Sequence, residues 1–248
     1  MAFPTTRWTL LAEATLNGDV AGQRALASLC ERYRRPVEMF LAARGYGPQD
    51  QQDLVQEFFL NWLRSRAWKR ADRLRGKFRT FMLGAVTHLL AHEAAKKAAL
   101  KRGGGLEVMS LDANATLNLE LPMMDAHSSA TFDRGWAVAL VTHAITALRA
   151  EFAAREKMAE FEVLRLFLPG STAASSLEAA AARLGTNVNA FKAALHRLRE
   201  RFRELLRLEV ARTVSAPHEI EEELRYLRTL LLALPAEHIL AEKNRKIE

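Results

Sequence analysis

Apolar positions along the chain recur every three or four residues, and each run of them ends at glycine or proline. The stretch DVAGQRALASLCERYRRPVEMFLAARGYG has Leu26, Leu29, Tyr33, Val37, Phe40 and Leu41 near helical spacing and stops at Gly45 and Gly47. PQDQQDLVQEFFLNWLRSRAW begins with Pro48 and acidic residues, as a helix N-terminus does, and its pairs Leu54/Val55, Phe58/Phe59 and Trp62/Leu63 repeat every four residues. GKFRTFMLGAVTHLLAHEAAKKAALKRGGG predicts a third long helix closed by Gly103–Gly105. From Gly103 to about Arg134 the period vanishes and Gly, Asn, Pro and Ser accumulate, which predicts a linker. A second helical block runs from Gly135 to about Thr213, and Pro217 opens a last segment with the stripe Ile220, Leu224, Leu227, Leu231 and Leu234. Strand alternation and hairpin dipeptides are absent from the sequence. The predicted fold is all-α: two small helical domains joined by a flexible linker, with a C-terminal helical extension. The expected boundaries are 1–105, 106–134, 135–213 and 214–248.

Length agrees with this division, since 248 residues make one large domain or two small ones at roughly 150 residues per domain. Charge adds a direction. Lys plus Arg outnumber Asp plus Glu by 36 to 29, giving +7 and a pI near 9.8. Such a balance favours a polyanionic partner, nucleic acid before an acidic membrane. The single cysteine, Cys30, rules out an internal disulfide and fits a cytoplasmic protein. The N-terminus lacks a basic leader followed by an apolar run, and the longest late apolar run is broken by Arg228 and Pro235, so neither a signal peptide nor a membrane span is expected.

The strongest local signal is SSLEAAAARLGTNVNAFKAALHRL. Ser175 followed by Glu178 predicts a capping box that starts a short helix with Leu177, Ala180, Ala181 and Leu184 on its inner face. Ala181 is small where two helices approach, Gly185 follows four residues later and permits a left-handed turn, and Phe191 falls six residues beyond it. This is helix-turn-helix spacing. The second helix carries the stripe Val188, Phe191, Leu195, Leu198, Phe202 and Leu205 on one side and a basic face on the other. Docked in a major groove, its outward residues Asn187, Asn189, Lys192 and His196 would reach base edges or flanking phosphates, and Arg197, Arg199 and Arg203 would reach phosphates. A plain helical hairpin with a solvated basic face carries the same pattern.

A second basic surface lies between Arg64 and Arg102, where twelve Lys and Arg, Arg75, Lys77, Arg79, Lys96 and Lys97 among them, meet only Asp72 and Glu93. Trp62, Trp68, Phe78 and Phe81 are interleaved with them. Cations neutralise phosphates and exposed aromatics stack on unpaired bases, a combination suited to melting DNA. Taken singly, Trp62, Phe78 and Phe81 each fit a helical core better, with the arginines as a solvated face. Just upstream, DLVQEFFLNWL has too many apolar residues for one helix stripe, with Asp53, Gln56 and Glu57 among them. It either meets another protein or is buried on two sides.

Taken together, these segments resemble a bacterial RNA polymerase sigma factor of the sigma-70 family, extracytoplasmic-function class, over nearly the whole chain. FPTTRWTLL, KRGGG and EIEEELRYLRTLL further resemble a planctomycete-like subgroup. DLVQEFFLNWL is similar to the region-two helix that docks on the β′ clamp coiled coil, which implies core-polymerase contacts by Asp53, Leu54, Gln56, Glu57 and Phe59. GKFRTFMLGAVTHLLAHEAAKKAALKR is similar to the part that opens and reads the minus-ten element, implying roles for Arg75, Lys77, Phe78, Arg79, Phe81, His88, Lys96 and Lys97. LEAAAARLGTNVNAFKAALHRLRERFREL is similar to the region-four helix-turn-helix for the minus-thirty-five element, implying roles for Asn187, Asn189, Lys192, His196, Arg197, Arg199 and Arg203. The chain departs from many members in having His88 where they have Asn, and HEAAKK where they have an Asp–Arg pair. The implied partners are core polymerase, including its β flap, promoter DNA and an anti-sigma factor, with a monomeric free protein, no cofactor and no membrane. The implied function is promoter recognition and opening. A helix-turn-helix regulator lacking the polymerase-docking surface is the alternative.

Catalysis is not expected. His88 and His92 lie four apart on a helix but no third metal ligand accompanies them, and RGGGL lacks the lysine–hydroxyl pair and preceding strand of a phosphate loop. Cys30 sits at helical spacing with Leu26 and Leu29, as a small core residue would.

Overall fold

A computed structural model describes residues 20–67, 77–101, 126–168, 175–214 and 216–233. Among these residues every regular element is helical: α1 (Val20–Ala43), α2 (Pro48–Arg64), α3 (Phe78–Lys101), α4 (Ala126–Ala153), α5 (Met158–Leu164), α6 (Leu177–Arg183), α7 (Val188–Ala211) and α8 (Ile220–Leu232). Short 3-10 turns at Arg165–Phe167 and Pro217–Glu219 follow α5 and precede α8. The chain divides into two compact units, and the division at Trp136/Ala137 falls inside α4.

The helix ends follow the turn chemistry of the sequence. Gly45 adopts φ +84°, so its N–H reaches the Ala42 carbonyl (3.0 Å) and that of Tyr46 reaches Leu41 (3.2 Å), closing the last turn of α1. Pro48 then stands in the first turn of α2, where a missing N–H costs nothing. Gly185 repeats the closure with φ +62°, donating to Ala182 while Thr186 donates to Ala181, both at 3.0 Å. The end of α4 uses the same geometry without glycine: Glu156 takes φ 58°, and the N–H of Lys157 reaches Phe152 at 2.9 Å.

In the first unit, Tyr33, Val37, Phe40 and Leu41 of α1, Val55, Phe58 and Trp62 of α2, Phe78, Met82 and Val86 of α3, and Phe132 and Trp136 of α4 are buried. Tyr33 meets Phe78 edge-on at 5.2 Å, and Phe40 meets Phe132 likewise at 6.2 Å. Pro36 lies inside α1, and Gly135 of α4 faces it so closely that a Cβ added there would lie 2.7 Å from the Pro36 Cα. The second unit is built around one continuous apolar cluster: Val141, Ala144 and Leu148 of α4, Phe161 and Leu164 of α5, Ala180 and Ala181 of α6, and Phe191, Leu195, Leu198, Phe202 and Leu205 of α7.

Three sequence expectations change. Residues 126–134, read as linker, are helical, because Phe132, Asp133 and Trp136 have core partners that lie too far away in sequence for a periodicity test to find. The cap of α6 is Ser176, not Ser175; its hydroxyl accepts from the Ala179 N–H at 3.1 Å. The buried face of α8 is Ile220, Glu223, Leu227 and Leu230, with Leu224 and Leu231 half-buried at its edge and Leu234 outside the described residues. The apolar stripe is shifted toward a seam that takes in one carboxylate.

Candidate nucleic-acid interface

Two helices, α6 and α7, joined by a turn at Gly185, form where the spacing predicts them. Ala181 (2% exposed) allows α6 and α7 to approach, Gly185 turns the chain, and Phe191 is fully buried in edge contact with Phe167 at 5.3 Å. Burial of Phe191, Leu195, Leu198 and Phe202 fixes which side of α7 faces outward. Asn187, Asn189, Lys192, His196, Arg197, Arg199 and Arg203 are all exposed. Lys192 and His196 lie one turn apart on the exposed flank beside the buried stripe.

No family model, no curated protein and no solved structure matches the chain.

Several of the outward residues also have a local task. The Asn187 side chain accepts from the Ala190 N–H at 2.8 Å and caps α7. Asn187→Ala should therefore lower stability by about 0.5–2 kcal/mol, and Asn187→Ser should restore most of it. Thermal unfolding of the two variants checks this, and equal melting for Ala and wild type would remove the cap. Arg199 donates to the Phe167 carbonyl at 3.1 Å, tying α7 to the turn after α5. Arg203 pairs with Glu200 one turn earlier. These anchors restrict the guanidinium groups without removing them from the surface.

Sequence reasoning missed the most organised cation of this unit. Arg201 forks onto Glu151, with Nη2 at 2.7 Å from Oε1 and Nε at 3.0 Å from Oε2, and its Nη1 lies 2.6 Å from Glu204. Glu151 lies 50 residues before Arg201, so no sequence spacing announces the pair. Hydrogen bonding from Arg201 holds the Glu151 carboxyl below its ordinary range. A carboxyl so lowered stabilises the fold at neutral pH, and that contribution fades as pH falls through the lowered value.

In the first unit the expected minus-ten residues separate. Phe78 is fully buried and Arg79 is 9% exposed, so neither presents a surface to DNA. Arg79 pairs with Asp133 at 3.2 Å and lies over the Trp136 ring at 4.6 Å from its centroid. The first turn of α3 is thus a core element. Trp62 is buried as well. Phe81 is half-buried and tilted against Phe78 at 5.8 Å. Lys77 and His88 are half-buried and Lys96 is exposed, 3.9 Å from Glu93. Arg75, Trp68 and the side chain of Lys97 lie outside the described residues. Among the described residues no group of three His, Cys, Asp or Glu is placed to hold a metal.

On α2, Asp53 and Gln56 are exposed, and Leu54, Glu57 and Phe59 are half-buried. Two leucines absent from the sequence-based selection stand out: Leu60 is 43% and Leu63 36% exposed. Asp53, Gln56, Leu60 and Leu63 recur at three, four and three residues, so they share one side of the helix. The sequence signal was present in the surplus of apolar residues. It could not say which of them the core would leave outside. No described helix is long and apolar enough to cross a membrane.

Proposed function

We propose that this protein is a sigma-type transcription initiation factor. It binds core RNA polymerase through α2, places α7 in the major groove of a promoter element, and helps open the DNA. The observation that carries this reading is α7. Its apolar side is locked into the second unit by Phe191 and Phe202, and the seven side chains expected at the groove all stand exposed on the rest of its surface. The charge of +7 supports a polyanionic partner. The mixed face of Asp53, Gln56, Leu60 and Leu63 on α2 favours a protein partner in addition to DNA. With Phe78 and Arg79 in the core, minus-ten contacts would fall to Lys77, Phe81, His88, Lys96 and Lys97 together with Arg75.

The test is run-off transcription on genomic fragments with purified core polymerase. Transcripts with defined starts are expected only when the protein is added. They should be lost in Leu60→Asp with Leu63→Asp, while duplex binding by the full chain is kept. Absence of defined transcripts, with duplex binding intact, would leave a helix-turn-helix regulator without polymerase docking and overturn the sigma reading.

A further inference from the structure

A cavity of about 220 Å³ opens in the second unit where the end of α4, the start of α5 and the middle of α7 meet. Four cations, Arg155, Lys157, Arg197 and Arg201, and two carboxylates, Glu151 and Glu160, line it. The pairing is uneven. Arg201 is taken up by Glu151 and Glu204, and Lys157 lies 3.3 Å from Glu160. Those contacts cancel the negative charge of the cavity wall. Arg155 and Arg197 are left with no carboxylate at ion-pair distance among the described residues. The cavity is therefore a concave site with two guanidinium groups outside any ion pair among the described residues, although Arg155 still acts through space on the Glu151 carboxyl.

Position makes this more than surface charge. Arg155 is held by the closed turn at the end of α4, where Glu156 has φ 58° and the Lys157 N–H bonds the Phe152 carbonyl at 2.9 Å. Arg197 directly follows His196 and so lies about 100° around α7 from it. The cavity thus borders the outward face that carries Lys192 and His196. Two guanidinium groups from different elements lining one cavity suit a tetrahedral oxyanion, which accepts paired N–H bonds from each.

We infer that this cavity is a phosphate-binding site, in which Arg155 and Arg197 hold one backbone phosphate of the duplex read by α7. The inference rests on the DNA-binding reading above. Phosphate contacts set register without reading sequence, so this site would fix the depth and angle of α7 in its groove. A free phosphorylated molecule shares the same chemistry and is separated from DNA by the test.

The experiment uses the full chain and a duplex selected by the wild-type protein from a random pool, with affinity measured across a salt series. Arg155→Gln with Arg197→Gln should reduce the slope of log affinity against log salt by about 0.9, the contribution of the one phosphate that the two arginines share, and should weaken binding roughly tenfold or more at low salt. Both residues are exposed, so melting should match wild type. Arg155→Lys with Arg197→Lys, which keeps the charge, should restore most of the slope. In parallel, inorganic pyrophosphate is titrated calorimetrically into wild type and the Gln variant. A wild type that binds no selected duplex ends both this inference and the DNA-binding reading. An unchanged slope in the Gln variant, with duplex binding intact, overturns this site alone. Pyrophosphate binding that depends on the two arginines, with an unchanged duplex slope, reassigns the cavity to a free phosphorylated ligand and likewise overturns the inference.

Discussion

Phe191→Ala should lower the stability of the second unit by about 3–5 kcal/mol, the range for removing a large aromatic from a packed core. The side chain is fully buried and touches the Phe167 ring edge-on at 5.3 Å. It also lies at the junction of α5, α6 and α7, so the cavity left behind cannot close by moving one helix alone. A loss of this size removes a large share of the total stability of an ordinary domain. On the proposed DNA-binding reading, duplex binding should therefore disappear at temperatures where wild type still binds, although Phe191 is fully buried and would not itself touch DNA. Lys192→Ala, one residue later and exposed, should leave melting within about 0.5 kcal/mol of wild type. Denaturant unfolding followed alongside duplex binding distinguishes the two. A Phe191→Ala protein that melts with wild type would mean that the α6–α7 core described above is wrong.

The second large effect concerns the Arg79–Asp133 pair. Their side chains are 10% and 14% exposed, and Trp136 covers the guanidinium from one side. Arg79→Met should cost about 3–5 kcal/mol, because it removes the cation paired with a largely buried carboxylate. Arg79→Met combined with Asp133→Leu should recover most of that loss, because no charge then remains to be desolvated. Denaturant midpoints for the two single variants and the double variant measure the coupling. If the double variant is no better than the sum of its parts, the two residues do not depend on each other.

These cases show which parts of the molecule were legible in its sequence. The helices of the first unit followed from Tyr33, Val37 and Phe40 recurring at 3.6-residue spacing, because a one-sided core leaves that imprint. The α6–α7 motif was legible for a further reason: Ala181, Gly185 and Phe191 each answer a local steric demand, of close approach, left-handed turn and shared core. Arg79 was not legible. A cation among cations reads as surface, and only folding brings Asp133, 54 residues later in the sequence, beside it. The same holds for Arg201 and Glu151. The start of α4 was missed because Phe132 and Asp133 find their partners, Phe40 and Arg79, far away in the sequence, and because it follows a stretch rich in Gly, Asn and Ser. On α8, the burial of Glu223 moved the seam away from the purely apolar stripe that its leucines suggested.

Gly135 sets two levels of the fold against each other. In an isolated peptide of α4, replacing it with Ala would raise helicity by about 1 kcal/mol. In the folded chain the same methyl group would lie 2.7 Å from the Cα of Pro36, and no side-chain rotation can relieve a clash with backbone. The position is a point of local frustration, where the sequence forgoes the better helix former so that two backbones can come together. Helix propensity and helix packing therefore select opposite residues at Gly135. Partly folded states in which α4 has formed but has not met α1 would tolerate substitutions there that the native state rejects.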